Sequence, residues 1–130
     1  MTTFLLDANA LIALTIAEHE HHERASDWLA TVEAFAVSPV VEGALVRFLV
    51  RIGEAVSTAT SVLAGVRAAP RCAFWTDDLT YLDVDLDTVR GYRQFTDTYL
   101  AALAKHHGGR LATFDVPLAQ RFPRDCLLIP

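Results

Sequence analysis

Two short apolar runs, more than a hundred residues apart, end in the same way. TFLL (Thr3–Leu6) is followed by Asp7, and RLATF (Arg110–Phe114) is followed by Asp115. Two further runs, FAVS (Phe35–Ser38) and CLLI (Cys126–Ile129), also have strand character, and helical patterns lie between them. Short apolar strands alternating with helices require right-handed crossovers, hence a parallel sheet covered on both faces. The predicted fold class is therefore α/β, with 130 residues forming one domain. In such sheets ligands bind just beyond the carboxyl ends of the strands, which is where both aspartates project.

The helices between the strands follow from apolar spacing and end signals. Leu11, Ile12 and Leu14 follow Asp7, while Ala25, Trp28, Leu29 and Val32 obey the i, i+3, i+4, i+7 rule. Ser38–Pro39 reads as an N-cap with proline at the first helical position, opening a helix that carries Val41, Leu45, Phe48 and Leu49 and stops near Gly53. A further helix is predicted over Ala55–Ala68, before Pro70. In the last long helix Thr96 is the expected cap, Asp97 favours the positive end of the dipole, and Lys105 with Gly108–Gly109 marks the end. CAFW (Cys72–Trp75) and DLTYLDVDLD (Asp78–Asp87) are expected to be irregular or to form short helices.

The starts of two of these helices supply two more acids, Glu42 after FAVS and Asp97. Each acid has a purely structural use: Asp7 as a helix cap, Asp97 on a dipole, Asp115 at the turn into Pro117. Glu42 falls one residue late for a capping box and is flanked by apolar and small residues. Four carboxylates at one sheet edge repel and raise one another's pKa unless a cation neutralises them. Oxygen-only ligation suits Mg²⁺ or Mn²⁺, and such an ion can lower the pKa of a water to attack a phosphodiester.

Composition limits the alternatives. With 52% hydrophobic and 21% charged residues the chain is no disordered segment, and its apolar share points to a surface used for association. No apolar run reaches the ~20 residues of a membrane span and no signal-peptide pattern is present, so a cytoplasmic protein is expected. Cys72 and Cys126 read as core thiols in a reducing compartment. The net charge of −5 opposes a broadly basic nucleic-acid surface but permits a basic rim around an acidic site. Arg47 and Arg51, one turn apart, are candidates for contact with phosphate or partner carboxylates. Arg90, Arg93 and Arg110 are further rim candidates. The apolar runs ALIAL (Ala10–Leu14) and VRFLV (Val46–Val50) are expected to contribute a groove for a partner helix.

Other motifs are weaker. HEHH (His19–His22) is not H-E-x-x-H and reads as a solvated turn or helix start. His106 and His107 complement a helix C-terminus. DVDLD (Asp83–Asp87) lacks the glycine and glutamate of a calcium loop. No phosphate-cradling glycine loop, nucleophile elbow or paired-cysteine motif is found.

LLDANALIAL, SPVVEGALVRFL and FTDTYLAALAKHHGGRLATFD, in that order, closely resemble the PIN-domain ribonucleases of the VapC toxin type. The resemblance spans nearly the whole chain, with Ala55–Gln94 the least distinctive part. It implies a parallel sheet flanked by helices and an acidic site of Asp7, Glu42, Asp97 and Asp115, with Asp7 and Asp97 the principal Mg²⁺ ligands. Glu42 and Asp115 would act partly through water, and Asn9 and Thr113 fall at polar positions beside the site. It further implies RNA as substrate, a homodimer and a cognate VapB-type antitoxin. The rival from another class is a PIN-like scaffold that binds RNA or protein without catalysis; loss of an acid would favour it, and all four are present. Phosphatases of the haloacid-dehalogenase type need D-x-D at the first strand, where this chain has Asp7 and Asn9.

Overall fold

A computed structural model describes residues 1–130. Five strands, β1 (Thr3–Leu6), β2 (Ala34–Val37), β3 (Cys72–Phe74), β4 (Arg110–Thr113) and β5 (Cys126–Leu128), form one sheet in the order β3-β2-β1-β4-β5. All four pairings are parallel. The central strand β1 carries Leu5 and Leu6, both fully buried, as expected for a strand covered on two faces. CAFW is the correction to the strand prediction. Its first three residues are β3, an edge strand whose Cys72 and Ala73 are half-buried and whose Phe74 is exposed. A short run that is apolar throughout does not by its period separate strand from helical turn.

Six α-helices connect the strands: α1 (Ala8–Thr15), α2 (His22–Leu29), α3 (Pro39–Arg51), α4 (Val56–Ala68), α5 (Phe95–His106) and α6 (Val116–Arg121). Helix α1 packs against both α2 and α3, and α3 packs against α4. Because the chain then crosses back to β4 on the far side of β1, right-handed crossovers place α5 and α6 on the opposite face. β1 and β4 are thus the topological switch point, with a crevice at their carboxyl ends.

Several helix ends differ from expectation. Thr96 does not cap α5. Gln94 is the N-cap, because the 3₁₀ turn Tyr92–Gln94 runs straight into the helix and supplies helical backbone ahead of Phe95. Ser38 does sit at the N-cap of α3 with Pro39 next, yet its buried hydroxyl makes no capping bond. Helix α5 ends at Gly108 with φ +79°, and Gly109 is required by close approach. A Cβ there would stand 2.2 Å from the Thr3 carbonyl oxygen and 2.6 Å from the Trp75 ring.

The segment between β3 and α5 is irregular apart from the 3₁₀ turns Tyr81–Asp83 and Tyr92–Gln94. Its acids have local work. Asp83 accepts from the Thr80 amide in a capping box, and Asp85 accepts from the Asp87 amide. His106 and His107 both approach Asp78, at 3.7 and 3.2 Å, so they fasten this segment to the end of α5 as well as meeting its dipole. Cys126 is buried and Cys72 half-buried, both as free thiols.

Candidate active site

Asp7 leaves β1 as the N-cap of α1. Its Oδ1 accepts from the Ala10 amide at 2.8 Å and its Oδ2 from the Thr113 hydroxyl at 2.5 Å. Asp115 repeats the arrangement on the neighbouring strand, accepting from the Leu118 amide at 2.9 Å as N-cap of α6. The structural and chemical uses of the two aspartates are therefore compatible. One capping bond fixes each carboxylate while lone pairs remain for a ligand. Asp97 lies in the first turn of α5, where the helix dipole favours negative charge.

These three acids act on one another. Asp7 is 4% exposed, and burial is the main cause that raises its pKa to about 6. The Thr113 and Ala10 hydrogen bonds oppose that rise, while the charges of Asp97 and Asp115 add to it. Asp97 is also raised, first by burial and then by Asp115, with the Arg121 guanidinium pulling the other way. Thr113 is wholly buried and serves both sides: its oxygen donates to Asp7 and accepts from the Asp115 amide at 3.0 Å. Asn9 is exposed in the first turn of α1.

Glu42 is paired with a cation. It lies in the first turn of α3, and its Oε2 pairs with Arg67 Nη1 at 3.0 Å. Its charge is felt at Asp77 and Cys72. Asp77 is raised chiefly by burial, so a second acidic pair, Asp77 with Glu42, adjoins the start of α3. No three His, Cys, Asp or Glu side chains stand close enough together, as placed, to enclose a cation. The chemistry of the donors nevertheless fits a hard divalent ion, since Asp7, Asp97 and Asp115 offer only oxygen and repel one another in its absence.

Arg47 and Arg51 line an exposed groove of about 800 Å³ between α3 and α4, together with Phe48, Val50 and Val56. Both apolar runs reach a surface groove, VRFLV this one and ALIAL, through Leu11 and Leu14, a smaller one of about 350 Å³ against α4. Ala10 to Ala13 are buried, because α1 packs inward beside β1 and α3. Arg110 is no rim residue: its Nη2 donates to the Cys126 carbonyl at 2.6 Å. The HEHH segment is a turn and helix start in which Glu20 is exposed and His19, His21 and His22 are half-buried.

Sequence reasoning missed Arg67, Asp77 and Arg121. Arg67 and Arg121 look like ordinary last-turn cations of α4 and α6. Arg67 reaches Glu42 across 25 positions, and Arg121 Nη2 bonds Thr98 Oγ1 at 3.1 Å, beside Asp97. Only the packing of the helices brings these pairs together.

A five-stranded parallel sheet with acids gathered at its switch point is the arrangement of a PIN domain, and the PIN domain model matches residues 4–121. Ribonuclease VapC29 of Mycobacterium tuberculosis is 49% identical over 129 residues, 98% of this chain and 97% of that protein. The crystal structure of VapC20 from M. tuberculosis, a sarcin–ricin loop cleaving toxin, has a TM-score of 0.71 at 18% identity, covering 92% of this chain and 95% of that one. VapBC2 from Rickettsia felis, crystallised with a DNA fragment from their promoter, has a TM-score of 0.67 at 16% identity, with 94% of each chain covered. These two likenesses are of fold. The chain belongs to the PIN-domain family and, within it, to the VapC type.

Proposed function

We propose that this chain is the toxin of a type II toxin–antitoxin pair, a ribonuclease that works with Mg²⁺ or Mn²⁺ and is restrained by a VapB-type antitoxin. The observation that carries this is the placement of Asp7 and Asp115 at the carboxyl ends of β1 and β4, joined through Thr113, with Asp97 in the first turn of α5 near enough to act on both. A relative named as a ribonuclease, 49% identical along nearly the full length, supports it.

Asp7, Asp97 and Asp115 would hold the cation, with Glu42 joining through water once Arg67 releases it. A hard divalent ion supplies Lewis-acid stabilisation of phosphoryl oxygens and lowers the pKa of water. The chain supplies position. Thr113 and the Ala10 amide hold Asp7 in one orientation, and Asp115 is held by Leu118. Arg121, beside Asp97, tempers repulsion within the trio.

The VapB-type partner would seat an apolar helix in the α3/α4 groove, where Arg47 and Arg51 meet its carboxylates. The toxin would act as a homodimer on cytoplasmic RNA; no helix is long and apolar enough to cross a membrane. The test is cleavage of total cellular RNA by purified protein with Mg²⁺ or Mn²⁺, with chelation and Asp97→Asn as controls. Cleavage lost in both controls is expected. Activity that survives exhaustive chelation, or no cleavage with either ion, removes this assignment and leaves a non-catalytic binding scaffold.

A further inference from the structure

The HEHH turn and the end of β4 enclose a feature that the acidic trio does not use. A cavity of about 640 Å³ opens beside Asp115, lined by Asn9, His19, Glu20, His21, Phe114 and Asp115. Its aromatic wall is braced from several sides. The His21 ring stacks on Phe114 with centroids 4.8 Å apart and planes 22° apart. Arg24 lies over the same Phe114 ring at 4.9 Å and reaches His21 Nδ1 at 3.0 Å. Arg24 is itself anchored on the Ile129 and Pro130 carbonyls, each at 3.0 Å, and His22 Nδ1 meets the Ala13 carbonyl at 2.8 Å. The turn is thus tied to α1 and to the chain's last residues.

The polar groups of the cavity are equally defined. His19 Nδ1 accepts the His21 amide at 3.0 Å, so the neutral ring carries its proton on Nε2 as a donor. Glu20, 3.4 Å from His21 Nε2, supplies acceptors, and the exposed Asn9 amide supplies both donor and acceptor. A concave space with an aromatic platform and fixed edge-reading groups is the chemistry that recognises an unstacked nucleobase. Its size lies within the range of about 300–1,000 Å³ typical of small-ligand pockets. Asp115 borders both this cavity and the acidic trio, so a phosphate at the trio leaves its neighbouring nucleotide at the cavity mouth.

We propose that this cavity is a base-specific subsite, in which one single-stranded RNA base beside the scissile phosphate packs against the His21–Phe114 stack and is read by His19, Glu20 and Asn9. It rests on the ribonuclease function proposed above and adds the determinant of cleavage sequence.

The test uses the full chain with Mn²⁺ or Mg²⁺ and a pool of single-stranded RNA bearing a randomised stretch, with the 5′ ends of the products sequenced. The wild type should show a strong base preference at one position flanking the cut. His19→Ala and His21→Ala should each flatten that preference by about tenfold or more, the scale of one lost base contact, while preferences at other positions persist. His19→Gln, which keeps a donor on a half-buried and readily tolerated side chain, should restore part of it. Cleavage with an unaltered preference in every variant overturns the subsite alone, as does a wild type with no flanking preference. Unaltered cleavage preference with loss of antitoxin binding reassigns the cavity to the protein partner. Cleavage of total cellular RNA with none of the pool overturns the single-stranded subsite alone, and cleavage of neither overturns the ribonuclease function and the subsite with it.

Discussion

The Thr113 hydroxyl donates to Asp7 Oδ2 at 2.5 Å and accepts from the Asp115 amide, so one buried side chain joins the ends of β1 and β4. That link spans the switch point of the sheet and sets where two of the acids stand. Replacing Thr113 by Val keeps the shape and removes the hydroxyl. Stability should fall by about 1–3 kcal/mol, the cost of leaving a buried polar group unpaired. The acid limb of the cleavage–pH profile should move upward, because the hydrogen bond holds the Asp7 pKa down. Thr113→Ser should retain both properties; a Val variant with an unmoved profile would mean that Thr113 does not tune Asp7.

Asp7→Asn should abolish RNA cleavage and stabilise the metal-free protein above pH 6. The folded-state pKa of Asp7 is raised from 3.8 to about 6. The native state therefore binds more protons than the unfolded chain between those values, and stability falls as pH rises through that window. Above it the full penalty is present, about 3 kcal/mol from a shift of about two units. Asparagine keeps the cap to Ala10 and removes the buried charge. Urea unfolding with chelator should show the variant's gain over the wild type growing from about 1 kcal/mol at pH 4.5 to about 3 kcal/mol at pH 8.

Arg67→Gln should lower the Mg²⁺ or Mn²⁺ concentration needed for half-maximal cleavage. Arg67 holds Glu42 at 3.0 Å, so the cation and the guanidinium compete for one carboxylate. The pair is partly exposed, with 42% of the Arg67 side chain accessible, and is worth at most about 1 kcal/mol. The shift should accordingly be no more than about fivefold. A metal titration that does not move would place Glu42 outside the working site.

Val50→Asp should release the protein from its antitoxin without unfolding it. Val50 is 43% exposed in the α3/α4 groove, so a carboxylate there costs little stability but opposes an apolar partner helix. Cleavage in the presence of saturating antitoxin should return to the level of the free enzyme. In the wild-type complex, inhibition should weaken as Mg²⁺ is raised. Inhibition independent of Mg²⁺ would mean that the partner blocks RNA access away from the acids.

Much of the fold is legible because strong local signals agree with the tertiary result. The apolar runs of β1, β4 and β5 are strands, and Pro39 and Gly108 stand where α3 begins and α5 ends. The misplaced features are those whose local signals are weak or shared. CAFW is apolar throughout, so no alternation distinguishes strand β3 from a short helical turn. Thr96 looks like a cap, but the preceding 3₁₀ turn already continues into α5. The runs ALIAL and VRFLV are both apolar, and only the position of α1 beside the central strand buries Ala10 to Ala13 while Val50 stays exposed in a groove.

By itself the sequence determined which acids follow strands or open helices, since residue type and local period settle both. Strand parity and apolar length place Asp7 and Asp115 at carboxyl ends, and the switch-point rule brings those ends together. Tertiary structure alone decided which charges share a field. Asp97 joins Asp7 and Asp115 because α5 crosses back over the sheet, while Glu42 meets Arg67 because α4 packs along α3. The same holds for His21 on Phe114, 93 positions apart in the chain and 4.8 Å apart in the fold. Coulomb and stacking energies depend on distances in space, and no local pattern encodes a distance between segments that only the packed sheet and helices bring together.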